Sequence, residues 1–166
     1  MADTEKSPRK ATAPSRRRTR GPGRGRRGTI SDRRAVRLVR AAAAARVHAV
    51  APYSRFQVGA ALLTADGEVV TGANVESASY GLTCCAERVA LFKALTRGHS
   101  RFVGLAVVAR LPGGPMPCGA CRQLLAEYAP AAIVWVADSQ APDRIRRFTV
   151  RDLLPQAFLK APPNRR

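Results

Sequence analysis

The sequence predicts an α/β fold with three layers, α/β/α, around one mixed five-stranded sheet. Three observations carry that expectation. Helix-period segments alternate with short apolar runs along the chain, the pattern of helices packed on a sheet. Two of those runs, Phe102–Ala109 and Ala132–Val136, are almost uninterrupted, as in strands covered on both faces. A chain of 166 residues is also long enough for one domain with a proper core and too short for two.

The elements follow in order. A first helix is expected from Ser31 or Asp32, either of which can cap it, to about Val50. Its filling is Ala-rich, its apolar positions are Val36, Leu38, Val39, Ala42, Ala43 and Val47, and Pro52 ends it. Phe56–Thr64 and Glu68–Ala73 read as strands joined by Ala65-Asp66-Gly67, where glycine supplies a positive φ. Ser77–Thr83 is expected to be loop. A second helix opens at Cys84 or Cys85 and runs to about Arg97, offering Val89, Leu91, Phe92 and Leu95 to the core. After the strand Phe102–Ala109, the Pro- and Gly-rich stretch Leu111–Met116 leads into a helix from Cys118 to about Tyr128. Ala132–Val136 is a buried strand, Arg147–Val150 an edge strand, and a short C-terminal turn of helix holds Val150–Phe158. There are no internal repeats.

The charge of +18 is unevenly placed. Residues 1–30 carry ten Lys/Arg against Asp3 and Glu5, a net of +8, with almost no large apolar side chains. Such a segment cannot bury enough surface to offset its ordering entropy, so it is expected to be a disordered basic tail. The domain is expected over 31–160, with 161–166 a flexible C-terminus. A solvated tail is favoured over one that contacts nucleic acid, since charge runs are usually solvated. No run is long and apolar enough for a membrane span, and the basic start has no apolar core behind it as a secretory signal would. Four cysteines in an apparently unexported chain argue for metal binding or catalysis over disulfides, and a cytoplasmic setting is the expectation.

The chemistry concentrates in Cys85-Ala86-Glu87 and Pro117-Cys118-Gly119-Ala120-Cys121. Cys118 and Cys121, three apart at a helix start, share a face, and Cys85 begins another helix. The positive end of a helix dipole favours thiolate over thiol at both places. Three thiolates can hold one Zn²⁺ per chain and leave the fourth tetrahedral position open, which separates a catalytic zinc from a structural one. Glu87 is close enough to that position to move protons beside it. Arg88 lies on the same helical face as Cys85 and can donate to the sulfurs, tempering their electron donation to the metal. Free cysteines are often small buried hydrophobes, and Cys84 is read that way, with a fourth-ligand role as the alternative. Asn74 and Glu76 project to one face of a strand end, where an amide and a carboxylate suit paired hydroxyls; a polar strand end facing water is the other reading. Phe56 either stacks on a planar base or fills the core.

These pieces together resemble the small homotetrameric cytidine deaminases, whose zinc motif appears here in its three-cysteine form. The matching text is 53–62 (Tyr53-Ser54-Arg55-Phe56 onward), 74–83 (Asn74-Val75-Glu76 onward), Cys85-Ala86-Glu87-Arg88, Pro117 to Gln123, and Leu153-Leu154-Pro155. It covers about residue 33 to residue 158. The resemblance implies a cytidine deaminase-like fold and hydrolysis of cytidine and 2′-deoxycytidine, with Cys85, Cys118 and Cys121 as zinc ligands and Glu87 as proton shuttle. It further implies that Asn74 and Glu76 hold the ribose 3′-hydroxyl, that Phe56 stacks on the pyrimidine and that the Ala86 backbone helps read the base. Ala78, Tyr80 and Phe158 would reach a neighbouring subunit's site in a homotetramer. Gln57 departs from the family, where Pro is common, and Cys84 replaces a residue that is usually non-ligating.

Three other readings compete. A blasticidin-type or free-base deaminase shares the zinc motifs, but Asn74-Val75-Glu76 and the 77–83 loop favour a nucleoside. A nucleic-acid-editing deaminase would typically place His at 85 and need aromatic platforms, and the chain has only nine aromatic residues. A structural zinc module would leave no exchangeable position on the metal.

Overall fold

The structure is a computed structural model that describes residues 33–159. The expected basic tail and the extreme C-terminus, with the Ser31 or Asp32 cap, lie outside the described residues.

The order of elements is α1 (Arg33–Ala45), β1 (Val58–Thr64), β2 (Val69–Ala73), α2 (Ala86–Thr96), β3 (Phe102–Ala109), α3 (Gly119–Tyr128), β4 (Ile133–Asp138), β5 (Ala141–Thr149) and α4 (Val150–Leu153). The five strands form one sheet in the order β2-β1-β3-β4-β5. It is mixed: β1 pairs antiparallel with both β2 and β3, β3 runs parallel to β4, and β4 is antiparallel to β5.

Side chains alternate across the sheet and split the core in two. On one face Ala61, Leu63, Ala106, Val108, Trp135 and Ala137 pack under α1 through Leu38, Val39 and Ala42. On the other, Ala60, Leu62, Leu105, Val107, Val134 and Val136 meet Ala90, Leu91 and Ala94 of α2, Leu125 of α3, and Val150 and Leu153 of α4. The three expected layers are therefore present, with a single helix on one side and the two cysteine-bearing helices together on the other. Glycines set the distance between layers. A Cβ on Gly59 would stand 2.0 Å from Ala42 O of α1, and one on Gly72 would stand 2.5 Å from Ala86 O and Ala90 N of α2.

Several boundaries differ from the sequence expectation. The first helix ends at Ala45 and tightens into a 3₁₀ turn over Arg46–His48 instead of running to Val50. Val50 is taken by pairing with the β2 extension, where its N–H donates to Asn74 O at 2.9 Å and its carbonyl accepts from Glu76 N at 2.8 Å. Phe56 precedes β1, on an arch in which Arg55 has φ 57°. The second helix starts at Ala86, because Cys84 is still extended and bridges Val75. The edge strand β5 begins six residues before Arg147, following a tight turn closed by Asp138 Oδ1 accepting from Gln140 N at 2.9 Å. Its outer edge needs no partner, so Pro142 costs it no ladder bond. The terminal helix is one turn, and Phe158 lies beyond it.

Candidate active site

Two chain segments come together at the N-termini of α2 and α3. Each passes from extended backbone into helix at a cysteine: Cys85 (ψ 152°) caps α2 and Cys118 (ψ 169°) caps α3, and neither makes a side-chain capping bond. The sulfurs are thus free to face each other. Cys85 Sγ and Cys118 Sγ are 3.8 Å apart, and Cys118 Sγ donates to Cys121 Sγ at 3.6 Å. All three sulfurs lie within 4.8 Å of one another, and all three cysteines are free thiols. Thiolates bound at about 2.3 Å around a tetrahedral zinc stand roughly 3.8 Å from each other, so the donor set fits that ion. Among the described residues this is the one cluster of three or more potential ligands able to hold a metal.

The thiols do not titrate alike. A hydrogen bond from Cys121, opposed by burial and helped by Arg88 and Cys118, holds Cys85 down at about 5. The Cys121 thiol is pushed up, first by that same bond and then by burial. The lowering favours the thiolate form of Cys85, the form in which a cysteine ligates a metal.

Glu87 is 6% exposed, and burial pushes its carboxyl up to about 7, with the Cys85 thiolate adding to the rise and Arg88 opposing it. A buried carboxyl poised near neutrality can both take and give a proton. Arg88 Nη2 donates to Thr83 O at 2.6 Å and reaches Cys85 Sγ at 3.8 Å, so its guanidinium is tied to the loop in front of the cluster. Ala86 is fully buried against Gly72, between Cys85 and Glu87. Cys84 stays outside the cluster. It diverges from Cys85 because both are extended, with side chains alternating, rather than because of helical rotation. Burial raises its thiol.

Asn74 and Glu76 do not simply face water. Asn74 is buried and brackets Phe56, its Oδ1 accepting from Val58 N at 2.8 Å and its Nδ2 donating to Phe56 O at 2.9 Å. Glu76 Oε2 accepts from Tyr53 N at 3.0 Å and Ser54 N at 3.1 Å, and Oε1 accepts from the Ser54 hydroxyl. The Phe56 ring is not in the core: at 38% exposure it stands on the arch. Ala78, Tyr80 and Phe158 are exposed, Tyr80 and Phe158 nearly completely, and make no contact with the sulfur cluster that the structure records. Sequence reasoning missed two polar groups. Ser54 ties Glu76 to the arch, and Arg122 joins Pro117 O (2.7 Å) to Leu153 O (3.1 Å), steadying the residue before Cys118. The only signal for either was a place in the quoted motif text.

Three convergent thiols beside a buried carboxyl, on the α2 and α3 face of an α/β/α sheet, define a mononuclear metal centre of hydrolytic type. Comparison with known proteins identifies which. Residues 32–137 match the cytidine and deoxycytidylate deaminase zinc-binding region. The cytidine deaminase of Halalkalibacterium halodurans is 54% identical over 122 residues, covering 73% of this chain and 91% of that protein. The crystal structure of cytidine deaminase from Burkholderia pseudomallei superposes with a TM-score of 0.70 at 50% identity, covering 74% and 97% of the two chains. That of the Mycobacterium tuberculosis cytidine deaminase gives 0.65 at 42% identity, covering 79% and 100%. The chain belongs to the cytidine and deoxycytidylate deaminase family, and zinc is its metal.

Proposed function

We propose that the protein hydrolyses cytidine and 2′-deoxycytidine to uridine and 2′-deoxyuridine, releasing ammonia, as a cytoplasmic enzyme of pyrimidine salvage. The observation that carries this reading is the set of three mutually close thiols with buried Glu87 beside them. Cys85, Cys118 and Cys121 hold the zinc, which when bound supplies the Lewis acidity that makes water a nucleophile at neutral pH. Glu87 accepts the proton of the attacking water and delivers it to N3 of the pyrimidine as C4 is attacked. It then takes the remaining proton from the hydroxyl added at C4 and passes it to the amino group, so that the C4–N bond breaks, ammonia leaves and the C4 carbonyl forms; one carboxyl serves both halves of the exchange. Arg88 offsets the negative charge of the sulfurs and keeps Cys85 oriented.

Phe56 offers its face to the base, the backbone of Ala86 reads its polar edge, and Asn74 with Glu76 takes the ribose 3′-hydroxyl. Support for the Glu76 role comes from its carboxyl being held below the ordinary range by Ser54, which keeps it an ionised acceptor. The enzyme works as a homotetramer in which Ala78, Tyr80 and Phe158 of one subunit complete another's site. Exposed Tyr80, Leu82 and Phe158, at 80%, 74% and 78%, are what supports assembly. Among the described residues no helix is long and apolar enough to cross a membrane.

Ultraviolet monitoring of cytidine loss by the purified protein, with metal analysis giving one zinc per chain, tests the proposal. Turnover of a cytosine-containing oligonucleotide or of blasticidin S in preference to cytidine would overturn the substrate assignment.

A further inference from the structure

The arch between α1 and β1 is clamped by two side chains that follow β2. Asn74 clamps Phe56 O and Val58 N, while Glu76 clamps the N–H groups of Tyr53 and Ser54. Ser54 lies where the two clamps meet. Its hydroxyl donates to Glu76 Oε1, and the same Oγ accepts from Phe56 N at 2.9 Å. Between Ser54 and Phe56 stands Arg55, in the left-handed region at φ 57°, a conformation that a residue with a Cβ resists. The Arg55 N–H itself donates to Ala51 O at 3.0 Å, closing a turn at this residue, and the Ser54 and Phe56 bonds flank it.

We propose that Ser54 is a positioning residue whose hydroxyl, bridging Glu76 Oε1 and the Phe56 N–H, fixes the sugar-side carboxylate and the base-side ring at a set separation. The inference rests on the roles given above to Glu76 and Phe56. A nucleoside is then read as one unit, since neither recognition group can shift without the other. The hydroxyl has one proton, committed to Glu76, and one of its lone pairs is committed to Phe56. Oε2 of Glu76 already accepts from Tyr53 N and Ser54 N, so the lone pair left for a sugar hydroxyl is the second one on Oε1, the atom that Ser54 positions, and positioning and binding do not compete. Ser54 touches neither base nor sugar itself; it acts through its two neighbours.

Steady-state kinetics of the full-length, zinc-loaded protein with Ser54→Ala and Ser54→Thr, on cytidine and on 3′-deoxycytidine, test this. Losing a hydrogen bond to a charged group predicts that Ser54→Ala raises KM for cytidine about tenfold while kcat changes little. Ser54→Thr, which keeps the hydroxyl and has room at this exposed position, restores KM. On 3′-deoxycytidine the Ser54→Ala penalty shrinks, because the carboxylate has no hydroxyl left to meet. If the wild type handles both nucleosides equally, the sugar role of Glu76 fails and this inference with it. If the wild type discriminates but Ser54→Ala leaves KM unchanged, or costs the same factor on both substrates, the sugar role stands and the inference is overturned. Should Ser54→Ala fold poorly, Ser54→Cys, a weak donor of similar size, makes the same comparison.

Discussion

At the scale of single residues, the site separates metal binding from proton transfer, and mutation should separate them too. Glu87→Gln keeps the size of the side chain and removes its ability to shuttle a proton. It is expected to lower kcat by about a hundred- to ten-thousandfold, the usual worth of a positioned acid–base group, while metal analysis still finds one zinc per chain. Cys118→Ala removes one of three sulfurs within 4.8 Å and is expected to lose the metal, leaving a zinc content well below one per chain. Retained stoichiometric zinc there would show that other donors serve. Removing zinc from the intact protein by chelation should lower the melting temperature, and adding it back should restore it, because only the folded chain brings the sulfurs together. A ligand present at a thousandfold over its Kd adds about 4 kcal/mol to the folded state.

At the scale of elements, two glycines give forecasts that part over turnover. Gly59→Ala drives a methyl into Ala42 O and Arg46 N of the first helix, so that helix must lift. A loss of about 1–3 kcal/mol in denaturant unfolding is expected, with turnover per folded molecule kept, because α1 lies across the sheet from the sulfurs. Gly72→Ala instead pushes on Ala86 O and Ala90 N, and so on the helix that carries Glu87; both stability and kcat should fall. A third forecast concerns α4, where Thr149 and Asp152 form a reciprocal capping box. Thr149→Ala should cost about 1 kcal/mol near neutral pH. The backbone N–H of Thr149, and then its hydroxyl, hold Asp152 below its ordinary 3.8. A carboxyl lowered in the folded state stabilises above its unfolded value and loses that effect as pH falls through the folded one. The variant keeps the backbone bond and loses only the hydroxyl's share, so the gap between wild type and variant should narrow as pH falls below 3.8, read as the difference in unfolding midpoints at pH 7 and pH 3.

The same scale shows what a reader of the sequence can and cannot see. Continuous apolar runs such as Phe102–Ala109 announce strands because both faces are covered. The first half of β5 was invisible for the converse reason: Pro142, Asp143 and Arg144 sit on an exposed edge where no apolar pattern is required. Helix starts at Cys85 and Cys118 lack a Ser, Thr or Asp cap, so their limits were legible only to a residue or so. Cys118 and Cys121 could be paired by their spacing of three at a helix start, whereas Cys85, on another helix start, was joined to them only through the motif. The Ser54–Glu76 bond spans 22 residues with no local pattern linking its ends, so only coordinates could reveal it.

At the scale of the whole molecule, the forecast is that catalysis depends on association. If Tyr80 and Phe158 complete a neighbour's site, specific activity should fall on dilution in step with the loss of tetramer seen by light scattering. Phe158→Ala should shift both curves to higher concentration together. Activity that persists in isolated monomers would show each chain to be self-sufficient. The unequal loading of the sheet has a further consequence. The three sulfurs and Glu87 are on the side of α2 and α3, whereas α1 turns Arg37, Arg40 and Ala44 outward on the far side. That outer ridge is a natural handle: a dye, a bead or a fused reporter attached there would be held a full sheet away from the sulfur cluster and should leave turnover intact.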